Sequence, residues 1–416
     1  NTTGTNNIGI GYGALDANTT ASYNVAIGRD ALGANTTGSQ NTAIGRNALR
    51  DNTTAAYNVA VGNAALQSCS GGATNSAFGY GSLSANTTGS YNNAFGYAAL
   101  DANTNGVHNC AFGRDALGAN VHGDYNVAIG NYALDTANTD HNVAIGYEAM
   151  TNATASECVA VGSRALKAQT SAARCTAMGS EAATAITTGN DTTAIGRSAL
   201  AACVTGSSNT AIGSKALMNY TGAQLTAVGH SALESAVSNL QSTAVGYEAL
   251  KLATASYNTA IGWQALDACT TGQTNVAVGD AALGTLTTQS NNTAVGHFSL
   301  HACIADENTA VGTNSLRSCT TGNKNVAVGR SAAPNLTTGV QSCYVGHDAG
   351  SNVTSGNYNT YMGDNAGAVT TTGQYNTLYG YYAGQGNLAS GTSSQLYIAR
   401  NDSGAGAAAT WIYGDD

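Results

Sequence analysis

A glycine recurs along this chain at nearly constant spacing, and this period restricts the fold more than any other feature. It closes phrases such as Asn24-Val25-Ala26-Ile27-Gly28 and stands at 23 positions between Gly11 and Gly380. Of the 22 intervals between these glycines, 17 are 17 residues long and five are 16 residues long. A fixed period of this length indicates a stack of like supersecondary units and not several unrelated domains.

Each repeat, which we call a coil, is numbered from this glycine as position 0. Position −1 is large and apolar in all 23 coils, position −2 is Ala in 19, position −4 is Asn in 17, and position +4 is Leu in most. Frequent Gly and Asn disfavour a helix, because a Gly in a helix interior costs about 1 kcal/mol. Short β-branched segments between turn residues favour strands. We predict an all-β parallel β-solenoid (β-roll) of about 23 coils of 16–17 residues, with two strands per coil.

Stacking of the coils predicts columns of like residues at the strand spacing of about 4.8 Å. The Asn column at position −4 then becomes a structural ladder of side-chain amides, each donating to one neighbouring coil and accepting from the other. Its first complete members are Asn24, Asn41, Asn58, Asn75 and Asn92. The period fails after Gly384, so the chain divides into a β-roll repeat shaft over 1–384 and an irregular β cap or transition segment over 385–416.

The Ala column at position −2 is the basis for an expected homotrimer. Alternate residues of a strand point to opposite faces, and if positions −1 and −3 face the interior, position −2 faces outward. A fixed small residue on an outward face favours close contact with another chain. The interface candidates in this column are Ala26, Ala43, Ala60 and Ala244. The alternative is a flattened monomeric roll in which Ala fills a thin core.

The last three coils show a paired exchange between positions −2 and +4. Position −2 becomes Tyr344, Tyr361 and Leu378, while position +4 becomes Gly350, Gly367 and Gly384. Cores tolerate exchanges that conserve volume and resist overpacking. Positions −2 and +4 are therefore predicted to touch, within a coil or across chains, and Tyr344 and Tyr361 join the interface candidates.

Composition excludes several classes of function. Charged residues make up 9% of the chain and the net charge is −9, so there is no basic patch and we expect no nucleic-acid partner. No apolar run approaches the roughly 20 residues that a membrane helix needs, so no membrane insertion is expected. The chain begins Asn1-Thr2-Thr3 without a Met or signal peptide, and is expected to be a fragment or a processed product.

Candidate reactive groups do not recur in one place along the repeat. His297, His301 and Cys303 could suggest a metal site, but they lie on a turn and no recurring carboxylate accompanies them. No Ser/His/Asp set or carboxylate pair recurs. We therefore expect no enzyme, no cofactor, no metal site and no catalytic residue.

Three further residue types call for interpretation. Asn-x-Thr matches at Asn18, Asn35, Asn52 and Asn86 fit a glycosylation signal, but they follow from the coil consensus. Tyr23, Tyr57, Tyr91 and Tyr125 recur every second coil, either as platforms for sugars or as rings packed over the adjoining turn. The cysteines Cys158/Cys175 and Cys303/Cys319 occupy equal positions in consecutive coils, within disulfide range, although buried free thiols are favoured.

The phrase Asn41-Thr42-Ala43-Ile44-Gly45 with Ala48 resembles the head repeats of trimeric autotransporter adhesins, which are trimeric left-handed parallel β-rolls. The longer coil, continuing into Asn52-Thr53-Thr54, looks more like the repeat arrays of phage and other viral tail fibres. The closing segment, from Gln395-Leu396-Tyr397 to Asp416, is similar to the stretch after such arrays. The resemblance covers residues 7–384. The 17-residue coil and the absence of an anchor or stalk depart from the adhesins and leave the two origins open.

These features together predict an extracellular structural or adhesive fibre protein. The leading interpretation is the repetitive shaft of a trimeric phage or virus tail fibre involved in host attachment, with a host receptor or glycan as a possible partner. A bacterial surface adhesin head and a self-assembling extracellular filament are the alternatives. Because the coils present nearly the same surface, recognition is expected beyond residue 384, with Tyr397, Trp411 and Tyr413 as receptor-contact candidates.

Overall fold

The computed structural model describes residues 2–237, 241–384, 390–400 and 409–415, with only the backbone given for 399–400 and 409–415. Over these residues the chain is all β, contains no helix, and forms a parallel β-solenoid. It divides into two compact units, Asn1–Asn209 and Thr210–Asp416, each built from stacked coils. The predicted β-solenoid with about 23 coils is confirmed.

The first unit contributes one three-residue strand from each of its twelve coils, and all neighbouring strands described in this unit are parallel. These strands are β1 (Ile8–Ile10), β2 (Val25–Ile27), β3 (Thr42–Ile44), β4 (Val59–Val61), β5 (Ser76–Phe78), β6 (Asn93–Phe95), β7 (Cys110–Phe112), β8 (Val127–Ile129), β9 (Val143–Ile145), β10 (Val159–Val161), β11 (Thr176–Met178) and β12 (Thr193–Ile195).

The second unit continues the same pattern and ends in a hairpin. Its strands are β13 (Thr210–Ile212), β14 (Thr226–Val228), β15 (Thr243–Val245), β16 (Thr259–Ile261), β17 (Val276–Val278), β18 (Thr293–Val295), β19 (Thr309–Val311), β20 (Val326–Val328), β21 (Cys343–Val345), β22 (Thr360–Met362), β23 (Thr377–Tyr379), β24 (Gln395–Arg400) and β25 (Ala409–Asp415). Strand β24 still pairs in parallel with β23, and β25 turns back antiparallel to β24. Parallel stacking therefore extends one strand beyond the predicted boundary at residue 384.

Like residues stack on like in the strand column of each unit. Ala26 lies opposite Ala43, and Ile27 lies opposite Ile44. The glycine at position 0 ends each strand with a backbone that only glycine adopts without strain, as at Gly62 with φ 142°. A Cβ on Gly62 would lie 2.2 Å from the carbonyl oxygen of Gly79 in the next coil. The invariant glycine thus permits the close approach of successive coils.

The expected second strand of each coil is wrong, because that side is made of turns. Positions +2 and +4 have left-handed backbones, as at Asp30 (φ 58°) and Leu32 (φ 49°), which cannot belong to an extended strand. This side still bonds to the next coil, since the N–H of Leu32 donates to the carbonyl of Ala48 at 3.1 Å. Each coil therefore has one strand and a hydrogen-bonded turn side.

The core lies inside the solenoid and is built from small residues and one large residue per coil. Ala at positions −2 and +3 and Leu at position +4 are fully buried, as at Ala43, Ala48 and Leu49. The predicted orientation of the strand faces is wrong, since position −2 points inward and positions −1 and −3 point outward. Leu at +4 and the buried Asn columns fill the interior, and only Ala fits between them.

Candidate interaction surface

The outward side of the strand column, positions −3 and −1, lacks charge, with a large apolar residue at −1 and most often Thr or Val at −3. None of the 23 coils has Asp, Glu, Lys or Arg at either position. The large residues at −1 stay partly open to solvent, with Ile44 at 38% and Phe112 at 41% exposure. We call these two columns the strand face. Soluble domains carry roughly 25% charged residues, and contiguous apolar surface marks an interaction site, so the absence of charge was a signal available in the sequence.

The interface candidates taken from the Ala column are corrected by this orientation. Ala26, Ala43, Ala60 and Ala244 are each 0% exposed within the chain itself. An atom already enclosed by its own coil cannot contact another chain. The small residue at position −2 is explained by the thin core inside each coil, as expected for the flattened roll in which Ala fills the interior.

Tyr344 and Tyr361 are likewise buried within the chain, at 0% exposure, and are not interface residues. Their rings occupy the space that Leu fills in other coils. A Cβ on Gly350 would lie 2.6 Å from Cδ1 of Tyr344, and one on Gly367 would lie 2.4 Å from Cδ2 of Tyr361. Positions −2 and +4 therefore touch within a coil, as the paired exchange predicted. Burial raises the pKa of both phenols.

The Asn ladder at position −4 joins side chains to backbone as well as to other amides. Oδ1 of Asn24 accepts from the N–H of Asn41 at 2.9 Å, and Oδ1 of Asn41 accepts from the N–H of Asn58 at 2.9 Å. Oδ1 of Asn58 and that of Asn75 accept likewise from the N–H of Asn75 and Asn92. The Nδ2 of these residues donates to the turn carbonyl at position +10, three residues before the next Asn of the column. The column thus ties each strand start to the next turn.

A second Asn ladder, which the sequence analysis did not identify, lies at position +7. Nδ2 of Asn35 donates to Oδ1 of Asn18 at 3.1 Å, and Nδ2 of Asn52 donates to Oδ1 of Asn35 at 2.8 Å. The next coil has Cys69 at this position, and Oδ1 of Asn52 has no partner among the described residues. These amides and that of Asn86 are at most 2% exposed, so the Asn-x-Thr signals are enclosed in the folded coils.

All nine cysteines are free thiols in the structure, and seven are buried. Cys158 and Cys175 replace Asn in the −4 ladder, where the N–H of Cys175 donates to Sγ of Cys158 at 3.4 Å. The hydrogen bond between the two thiols lowers the pKa of Cys158 and raises that of Cys175. The thiols of Cys303 and Cys319, at position +7, also hydrogen-bond to each other, and this bond lowers the pKa of Cys303.

Two of the four recurrent tyrosines, Tyr91 and Tyr125, form part of a stacked aromatic column. At position −5, His108 stacks between Tyr91 and Tyr125 with ring centroids 4.8 and 5.0 Å apart, and His141 stacks on Tyr125 at 5.1 Å. Each inner ring has its faces covered by the neighbouring rings, so only edges and hydroxyls meet solvent. Tyr91 and Tyr125 thus pack on imidazole rings, which neither predicted alternative described, whereas Tyr23 and Tyr57 have no aromatic neighbour in this column and are 58% and 61% exposed.

His297, His301 and Cys303 are separated by other groups. Nε2 of His297 lies 3.4 Å from Oδ2 of Asp280, and the Phe298 ring contacts both imidazoles edge-on. Cys303 is buried and its thiol donates to a backbone carbonyl. In the described part of the chain, no three His, Cys, Asp or Glu side chains are grouped so as to hold a metal ion.

The receptor-contact candidates near the C-terminal end are only partly described. Tyr397 lies on β24 and is 5% exposed, so it is not available as a surface contact. Trp411 and Tyr413 lie on β25, and their side chains are outside the described residues. The strand face and the corners of the coils are the exposed surfaces that remain as candidates.

No protein-family model matches the chain, and the comparison with curated proteins returned no relative. Within the described ranges, none of the structure forms a helix with the length and hydropathy needed to cross a bilayer. The strand face and its periodicity are thus the principal observations from which a function can be argued.

Proposed function

We propose that the chain is the repetitive shaft of an extracellular homotrimeric fibre, of the kind found in phage and virus tail fibres that attach to hosts. The observation that carries the proposal is the strand face, which has no charged residue in any coil and carries a column of large, partly exposed apolar residues at position −1. A fibre shaft needs such a face because its subunits must contact one another along their length.

The periodicity of the strand face identifies its partner as further copies of the same chain. Successive strands repeat at about 4.8 Å, and residues such as Ile44, Val61 and Phe78 stack in one column. Only a partner with the same repeat can match every coil at once. Self-association is therefore a more economical explanation than a set of different partners.

Light scattering on the full chain tests this assembly. We expect a mass about three times 41.5 kDa. A stable monomer would contradict the proposal. Open-ended growth would instead support the alternative of a self-assembling filament, which needs the same face.

Paired variants locate the contact. Ile129→Glu with Met178→Glu places two carboxylates on the strand face, where burial of an unpaired charge costs several kcal/mol. Asn131→Glu with Ser180→Glu adds the same charge two residues further on in the same coils. We expect the first pair to dissociate the trimer and the second to leave it intact. Equal behaviour of the two pairs would place the contact elsewhere.

A further inference from the structure

A cavity of about 500 Å³ opens at a corner of the first three coils. Tyr12, Asp16, Asp30, Arg50 and Asp51 line it, together with Gly33. We call this cavity the corner pocket. Pockets of roughly 300–1,000 Å³ with a few convergent polar groups are the usual size for small-molecule sites. The corner pocket is therefore large enough for one or two sugar rings.

The pocket exists because Gly33 lacks a side chain in the column at position +5. Gly33 stands between Asp16 and Arg50 in this column, and a Cβ placed on it would have only backbone as its nearest neighbours, at 3.3 Å or more. Two other glycines of this column are covered by side chains. Oδ1 of Asp135 lies 2.7 Å from the Cβ position of Gly118, and the His301 ring lies 3.2 Å from that of Gly284.

The pocket supplies both donors and acceptors, and three of its charged groups, Asp30, Arg50 and Asp51, are held by ion pairs. Nε and Nη2 of Arg50 donate to the two carboxylate oxygens of Asp51 at 2.7 and 2.8 Å. Asp30 lies 3.3 Å from Nε of Arg29. The carboxylate of Asp16 makes no hydrogen bond or ion pair with another described residue. A ligand in the pocket thus meets an uncommitted carboxylate on one side of Gly33 and an oriented guanidinium on the other.

Tyr12 adds an open aromatic surface at the pocket. It is 84% exposed, and the residue at its position in the next coil is Arg29, not an aromatic. Tyr80 occupies the same coil position but stacks on Tyr97 at 5.3 Å. In the described part of the chain no aromatic ring stacks on Tyr12, and the ring is more exposed than that of Tyr80, at 57%.

We propose that the corner pocket binds a neutral saccharide. Vicinal hydroxyls pair with carboxylates and a guanidinium, which are planar acceptors and donors, and the C–H face of a sugar packs on the electron-rich face of an aromatic ring. Three carboxylates against one guanidinium oppose an anionic ligand. This activity goes beyond the shaft role and does not depend on it, and it differs from the expectation that recognition lies beyond residue 384.

Calorimetric titration of the full chain with neutral mono- and disaccharides of glucose, galactose, mannose and N-acetylglucosamine tests the proposal. We expect at least one to bind with a dissociation constant on the order of 1 mM or lower. Gly33→Gln fills the pocket with a residue that the same column carries at Gln67, and should weaken binding at least about tenfold. Ser84→Gln, in the same column away from the pocket, should leave it unchanged.

Two further variants keep the test decisive if Gly33→Gln reduces folding. Asp16→Asn alters an exposed side chain without changing its size, and Tyr12→Ala removes the ring, with Tyr80→Ala as its matched control. Both pocket variants should weaken sugar binding while the thermal unfolding midpoint stays the same. Failure of every sugar to bind, binding of spermidine in preference to sugars, or binding unaffected by these variants each overturns the proposal.

Discussion

At the scale of single residues, the coil is defined by backbone conformations that non-glycine residues rarely adopt. In the fourth coil Tyr57, Ala64 and Leu66 have φ values of 63°, 57° and 52°. Each left-handed residue costs roughly 1–2 kcal/mol. Inter-coil hydrogen bonds offset this cost, since the N–H of Ala64 donates to the carbonyl of Arg46 at 2.9 Å and that of Leu66 to Ser82 at 2.8 Å.

Substituting glycine at neighbouring positions should give opposite effects. Ala64→Gly relieves the left-handed strain and should raise the free energy of unfolding by about 0.5–1 kcal/mol, with a higher denaturation midpoint. Ala65→Gly removes a fully buried methyl from a residue without positive φ and should lower it by about 1 kcal/mol. Chemical denaturation followed by circular dichroism measures both. A loss of stability in both variants would show that the backbone strain is already relieved.

These conformations explain why the sequence did not predict the turn side correctly. Glycine and asparagine are the usual markers of positive φ, but position +4 is occupied by Leu, as at Leu32 and Leu49. With Leu there, the segment between the position-0 glycine and the Asn-Thr-Thr turn resembled a second short strand. Only the hydrogen bonds between stacked coils, which are non-local, select the left-handed form.

At the scale of the strand, the alternation of residues was visible in the sequence but its direction was not. The pattern at Thr42, Ala43 and Ile44 gives two faces, and size alone suggested that Ile44 points inward. The inward face is decided by what else occupies the core, namely Leu49 and the Asn columns. The period, the parallel stacking and the −2/+4 contact were predictable because they depend on repetition within the chain.

The contact between positions −2 and +4 predicts a coupled pair of substitutions in a regular coil. Ala244→Tyr alone should overpack the core and cost about 1–3 kcal/mol. Adding Leu250→Gly should recover part of this loss, because Leu250 already has a φ of 50° that glycine accepts and its removal makes room for the ring. Denaturation of the single and double variants gives the coupling energy.

Recovery should be incomplete, since Ala260 stacks directly on Ala244 in the next strand and that coil retains Leu266. The natural Tyr344 and Tyr361 occupy consecutive coils that both carry Gly at +4. A double variant whose loss equals the sum of the two single losses would mean that the positions act independently.

At the scale of the whole chain, stability should follow the number of coils and their interfaces. Deleting residues 46–79 removes two complete 17-residue coils and joins position 0 of one coil to position +1 of another. We expect the remaining chain to fold and its first unit to lose about 10 Å of stacked coil. Circular dichroism and small-angle scattering measure the two effects.

A deletion of 46–71 serves as the control, because it removes fewer residues but does not preserve the period. It places inward Ala and outward Ile columns out of register, so it should unfold several coils around the junction. Equal tolerance of both deletions would contradict a stability set by column register.

Because the coils are so alike, strands can pair in the wrong order while the chain folds. A strand such as β3 presents the same three positions to β4 that it would present to β5. Local strand pairing therefore does not distinguish the correct partner from an incorrect one. An intermediate with one coil looped out loses little more than that coil's own contacts and can persist as a kinetic trap. Coils with unique partners, such as the stacked Phe78, Phe95 and Phe112 or the Tyr344–Gly350 pair, distinguish the correct count. Correct folding should therefore start at these coils with unique partners. The number of residues between them then determines how the interchangeable coils stack.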